Sequence, residues 1–200
     1  ATTVGSDYHL GLDPYLELTG MAYRITPTRS ADGRPRVNTE VMYDNMMNKF
    51  RYGNVNKPGI YLDENTLRMC RTHRMMFSEL AEALYEEGKH DKAIAVLDYA
   101  EGMLPGYNVS YDYTSASMAA LYYTLGEMEK GNAIMDQVAT NAVEYMEWGT
   151  TLEPASRKAA QSTLGHYSAV LGFVLNNLQR FEQKELFNKY FALYNQYASR

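Results

Sequence analysis

Four carboxylates crowd one short stretch of the chain: Glu79, Glu82, Glu86 and Glu87. Paired carboxylates perform acid–base chemistry, glycoside hydrolysis among it, when one is held protonated and the other ionised. The stretch has helical period, however, and mid-helix glutamates also form a solvated face, while Asp63 and Glu64 at its start complement the helix dipole. No nucleophile–base or electrophile pattern of a recurring kind accompanies them. A solvated helix face is therefore the favoured reading. A stand-alone glycan-active enzyme using the Glu79–Glu87 cluster is the alternative.

A metal centre needs His, Cys or carboxylate ligands converging on one point. His73 has Met69, Met76 and Phe77 one turn away, His166 has Ser162, Thr163, Ala169 and Val170, and His90 sits in a turn. His9 has Asp13 four residues on, but Gly11 and Pro14 favour a loop there. None makes a ligand pair, and no metal or cofactor is expected. Cys70 is the single cysteine, so no internal disulfide forms; set beside Leu67, Met69 and Arg74, it reads as a buried, inert thiol. There is no G-x-G-x-x-G, Walker loop, G-x-S-x-G or H-E-x-x-H. Asn108-Val109-Ser110 fits a glycosylation acceptor, with a plain turn the favoured reading.

The elements that must carry any site are helical. Phe77-x2-Leu80-Ala81-x2-Leu84, Gly88, Ala93-x3-Leu97, Ala100 and Pro105 reproduce the tetratricopeptide pattern of two antiparallel helices. Ala81 and Ala93 are small where helices cross, and Leu80, Leu84 and Leu97 fill the seam. Gly88 can end the first helix in the left-handed conformation, Asp91 can cap the second, and Pro105 stops it. Met118-Ala119-x2-Tyr122, Gly126, Met135 and Val138 repeat the arrangement after the loop GYNVSYD, with Gly131 where alanine is expected. Ser168-x2-Leu171-Gly172-x2-Leu175 begins a worn third copy, followed by Phe187, Tyr190, Phe191, Tyr194 and Tyr197 at helical spacing. Between these copies an insertion around Trp148 to Gln161 places Pro154 to open a helix.

The expected organisation is thus mainly α: an N-terminal capping segment over 1–60 and a helical array over 61–200. The repeats fall at about 74–107 and 112–145, with a degenerate pair at about 164–198. One long helix runs from about Asp63 to Glu87. In the cap, Tyr15 to Ile25 is rich in strand formers and ends at Pro27, which allows a short hairpin with Arg36–Val37. Val41, Met42, Met46, Met47 and Phe50 share one helical face, and Gly53 to Gly59 is a turn-rich linker.

The segments YLELTGMAYRITP, VNTEVMYDNMMNKFRYG and GIYLDENTLRM, leading into FSELAEALYEEGKHDKAIAVLD, carry a further resemblance over about residues 13 to 150. They resemble the C-terminal soluble region of a family of bacterial multi-pass membrane proteins grouped with protein O-mannosyltransferase-like glycosyltransferases. The resemblance implies a domain that follows membrane spans on the extracytoplasmic, periplasmic side and packs near its own membrane half. In the similar transferases the acidic catalytic residue lies in a loop between membrane helices. No such loop exists here, so no catalytic residue carries over.

Composition sets the remaining bounds. The net charge is −5, from 19 basic and 24 acidic residues, interspersed rather than clustered, which argues against a nucleic-acid partner. The longest apolar run, Ala169 to Leu175, is far short of the roughly 20 residues of a membrane span. The chain opens at Ala1 without a methionine, as an excised or processed segment would. Its 18 tyrosines and 12 methionines fill helix contacts in the first instance and suit a recognition surface in the second. A concave groove of first-helix residues is the functional candidate, lined by Ser78, Glu82, Tyr85 and Glu86 in copy one and Tyr113, Ala116, Ala120 and Tyr123 in copy two. An aromatic shelf with an acidic rim suits an extended protein or peptide, or a glycan acceptor. The expectation is a non-catalytic interaction or structural domain.

Overall fold

The structure, a computed structural model, describes Thr2 and residues 5–198; Ala1, where the sequence opens, lies outside them. The described residues are mainly helical with one small sheet, and they divide into two compact units, Ala1–Val109 and Ser110–Arg200.

The first unit begins with single 3-10 turns at Ser6–Tyr8 and Asp13–Tyr15. A three-stranded sheet follows: β1 (Leu16–Leu18), β2 (Tyr23–Ile25) and β3 (Arg36–Val37), in the order β2-β1-β3. Here the expected hairpin is corrected. Tyr15 to Ile25 holds both antiparallel strands, with Leu16 opposite Ile25, and Arg36–Val37 joins β1 in parallel. The chain reverses at Gly20, whose φ of 143° favours glycine and whose absent Cβ leaves room for the Phe50 ring. Arg36 is held parallel by chemistry as well as by backbone. Its Nε donates to the buried Glu17 carboxylate at 3.0 Å and its Nη2 to Thr26 Oγ1 at 3.0 Å, while Asn38 Nδ2 donates to Glu17 at 3.1 Å. A buried carboxylate persists only with such partners.

Asn38 also caps α1 (Thr39–Tyr43) by accepting from the Val41 amide. The helix continues as a wider π-type stretch, Asp44–Lys49, and the methionine face read from the sequence turns inward, with Met42 and Met46 at 0% exposure. The loop after it is tied down by Asn108, whose Nδ2 donates to the Val55 and Lys57 carbonyls at 2.6 and 2.7 Å.

Helix α2 (Glu64–Glu86) runs between the expected limits. The Asp63 carboxylate accepts from the Asn65 and Thr66 amides, and Gly88, at φ 74°, ends the helix in the left-handed region. α3 (His90–Met103) packs back on it and stops before Pro105. Asp91 does not cap α3, correcting that expectation: Lys89 occupies the cap without a side-chain bond, and Asp91 lies within the first turn, where its charge still meets the helix dipole. Phe77, Leu80 and Ala81 of α2 and Ala93, Val96, Leu97 and Ala100 of α3 are all at 0% exposure, each larger side chain worth about 1.5–3 kcal/mol of burial. Arg74 is buried beside them and donates from Nη2 to the carbonyls of Leu104 and Val109, at 2.6 and 2.8 Å.

The second unit opens with α4 (Tyr113–Thr124), set by a reciprocal cap in which Asp112 accepts from the Thr114 and Ser115 amides and Ser115 Oγ accepts from the Asp112 amide. α5 (Met128–Thr150) packs against it. Gly131 stands where the repeat pattern expects alanine because a Cβ there would lie 2.5 Å from the Tyr123 ring. The insertion resolves into the end of α5 and a short helix α6 (Pro154–Ala159) with Pro154 at its start. α7 (Gln161–Arg180) and α8 (Lys184–Ala198) complete the unit. Tyr190 of α8 is 1% exposed, and its hydroxyl meets Asp136 Oδ1 at 2.7 Å and Thr140 Oγ1 at 2.9 Å.

Candidate functional site

The eight residues expected to line the groove divide between the two units. On α2, Glu82 and Glu86 are exposed and Ser78 and Tyr85 half-buried. Ser78 spends its hydroxyl on the Arg74 carbonyl of its own helix, and Tyr85 stacks on His90 with ring centroids 5.0 Å apart. On α4, Tyr113 is 47% exposed and Ala120 half-buried. Ala116 and Tyr123 are buried, at 0% and 2%, and so cannot line an open groove. α4 packs against α7 as well as α5, so it buries two faces where the spacing argument allowed one. The Tyr123 ring lies on Phe181 at 5.0 Å, its hydroxyl donates to Asn132 Oδ1 at 2.7 Å, and burial raises its pKa.

A different aromatic surface emerges on the second unit. Tyr145 and Trp148 stand one turn apart on α5, 43% and 45% exposed, while the adjoining face of the helix buries Ala142, Met146 and Gly149. Tyr145 stacks on Tyr167 of α7 with centroids 3.9 Å apart and planes within 7°. Trp148 meets the Tyr145 edge at 6.4 Å. The helices approach closely because Gly149 carries no Cβ; one there would lie 2.5 Å from Leu164 Cδ2. The result is a platform of three rings in which Tyr145 and Trp148 are exposed and Tyr167 is half-buried. Such surfaces offer large contact area at low entropic cost.

The carboxylate cluster is strung along its own helix, with Glu79 and Glu82 one turn apart. Glu79 and Glu87 are about 12 Å apart along the axis at 1.5 Å per residue, beyond the roughly 5–9.5 Å that glycosidase carboxylates span. Glu87 accepts from Thr39 Oγ1 at 2.8 Å and pairs with Lys89 Nζ at 2.6 Å, contacts that lower its pKa, Lys89 foremost. The Glu79 carboxyl is raised by desolvation and then by Glu82.

His9 and Asp13 do meet across their loop, Nδ1 to Oδ1 at 2.7 Å, with the His9 ring on the Tyr23 edge at 5.7 Å. His73 packs edge-on to Tyr52 at 5.5 Å, and burial lowers its pKa. Cys70 is buried and free, and desolvation raises its thiol pKa, offset in part by Arg74 and Arg71. Among the described residues no three His, Cys, Asp or Glu side chains gather as a metal would require, and no helix is long and apolar enough to cross a membrane.

The platform was only half visible in the sequence. Tyr145 and Trp148 share a helix face by spacing, but Tyr167 comes from another helix, and only packing reveals the stack. No family model, curated protein or solved structure matches this chain.

Proposed function

We propose that this chain is a non-catalytic binding module, a short tetratricopeptide-like helical array that docks an extended protein or peptide segment on its exposed aromatic surface. The observation that carries the reading is the Tyr145–Tyr167–Trp148 platform. Two large aromatic residues remain more than two-fifths exposed on a helix whose core-facing side chains, Ile134, Met135 and Val138 among them, are buried, and Tyr and Trp in that setting are the residues on which protein interfaces concentrate their energy. The helix pairs α2–α3 and α4–α5, each closed by a left-handed glycine at Gly88 and Gly126, support the repeat reading.

The likeness of its N-terminal segments to glycosyltransferase-like membrane proteins gives the module a setting. It is the extracytoplasmic soluble tail of such a protein, holding acceptor proteins, or the glycans they carry, near a catalytic part elsewhere in the parent. Trp148 is the single tryptophan, so its emission reports on the platform directly. Extended peptides selected on the wild-type chain from a random displayed library should shift that emission saturably and lose at least tenfold in affinity on Tyr145→Ala. Selected peptides that bind Tyr145→Ala and Trp148→Ala unchanged would end the proposal.

A further inference from the structure

The second unit also holds a cavity that the aromatic platform does not use. The end of α5, the short α6, the start of α7 and Tyr197 of α8 border an open recess of about 540 Å³, within the range of about 300–1,000 Å³ typical of small-molecule sites. Its charge is one-sided. Arg157 and Lys158 both line it, and among the described residues no carboxylate does, in a chain whose net charge is −5.

Several cations elsewhere have a carboxylate partner, among them Arg36 with Glu17, Lys49 with Asp44, Lys89 with Glu87, Lys130 with Glu127 and Lys189 with Asp136. Arg157 and Lys158 have no ion pair or side-chain hydrogen bond among the described residues. A structural account exists, since both stand in the last turn of α6, where cations complement a helix dipole. That helix is six residues long, however, so its dipole is slight, and the dipole does not require both side chains to border one cavity. Two adjacent like charges bordering one recess repel each other, and a bound anion relieves both.

The remaining lining suits an organic body attached to that anion. Thr150 and Gln161 offer neutral hydrogen-bonding groups, while Leu164 and Tyr197 supply apolar and ring surface. We infer that this cavity binds a small organic anion, a phosphomonoester or carboxylate on a body the size of one sugar ring. The Arg157 guanidinium forks onto two of its oxygens and Lys158 acts as a point charge. The inference does not depend on the platform or on what docks there.

The test is a titration of the whole isotope-labelled chain, followed by amide chemical shifts, with glucose 6-phosphate, glucuronate, inorganic phosphate and glucose. Each is taken to about 10 mM, which fills most of a site of millimolar Kd. One or both organic anions should give saturable shifts over 146–150 and 157–168, tighter than inorganic phosphate, and glucose should give none. Which organic anion binds tells phosphate from carboxylate. The double change Arg157→Gln with Lys158→Gln should weaken binding at least tenfold. Lys158→Glu, at an exposed position that leaves folding intact, should do so by itself. Failure of both organic anions to saturate, binding by inorganic phosphate as tight as by either of them, or retention of affinity in Lys158→Glu would each overturn the assignment.

Discussion

Gly131→Ala should destabilise the chain although it replaces glycine inside a helix, and the sign should reverse once Tyr123 is shortened. In a helix interior alanine is favoured over glycine by about 1 kcal/mol. Against that, the new Cβ would stand 2.5 and 2.6 Å from two atoms of the Tyr123 ring and 3.1 Å from the Ala119 carbonyl oxygen. Overpacking of this kind costs about 1–3 kcal/mol. A ring that moves aside also strains its 2.7 Å bond to Asn132, worth about 0.5–1.5 kcal/mol. The net expectation is a loss of about 1–3 kcal/mol. In a Tyr123→Ala background both ring atoms are gone, so the same change should be neutral or stabilising by up to about 1 kcal/mol. Urea unfolding of the four proteins in this double-mutant cycle measures the coupling directly. A Gly131→Ala change that is neutral in both backgrounds would refute the claim that Tyr123 dictates glycine at this crossing.

Arg74→Met should cost about 2–5 kcal/mol in urea unfolding, because the buried carbonyls of Leu104 and Val109 lose their shared donor. Asn108→Ala should raise amide exchange over 53–60 while leaving α2 protected, since the loop loses two ties at 2.6 and 2.7 Å. His73 carries a pH dependence. Burial lowers its folded pKa, so the unfolded chain takes up the proton first. Stability is full above the unfolded value of about 6.5 and falls as pH drops below it towards the folded value. His73→Gln should flatten the acid side of that profile, as seen in melting temperature between about pH 5 and 7.

Much of the helical frame was legible because its signals are local. Asp63, Gly88 and Pro105 mark where α2 and α3 begin and end, and Ala81, Leu84, Ala93 and Leu97 mark their shared seam. The rest depends on what meets what across the chain. Spacing says that Arg36–Val37 can form a strand, but the direction of pairing follows from the buried Glu17, which draws Arg36 and Asn38 to it. The same limit separates the expected groove from the structure. Periodicity places Ala116 and Tyr123 on the face of α4 away from its first partner, but it cannot show that the Tyr123 ring turns onto Gly131 and Asn132 of α5 and onto Phe181, or that α7 packs on α4 as well. Glu82 and Glu86 stay accessible on α2, and Tyr113 stays about half exposed although its ring meets Phe173 of α7 at 4.7 Å. The cavity beside α6 rests on four helices, and its basic pair reads in sequence only as two charges after a proline.

The aromatic platform is the central claim, and Trp148 fluorescence during titration of a library-selected extended peptide tests it most directly. The account predicts a saturable spectral shift in the wild type, lost or weakened at least tenfold in Tyr145→Ala, with melting temperatures within a few degrees of each other. A peptide that binds with unchanged affinity while Trp148 emission stays constant would contradict it.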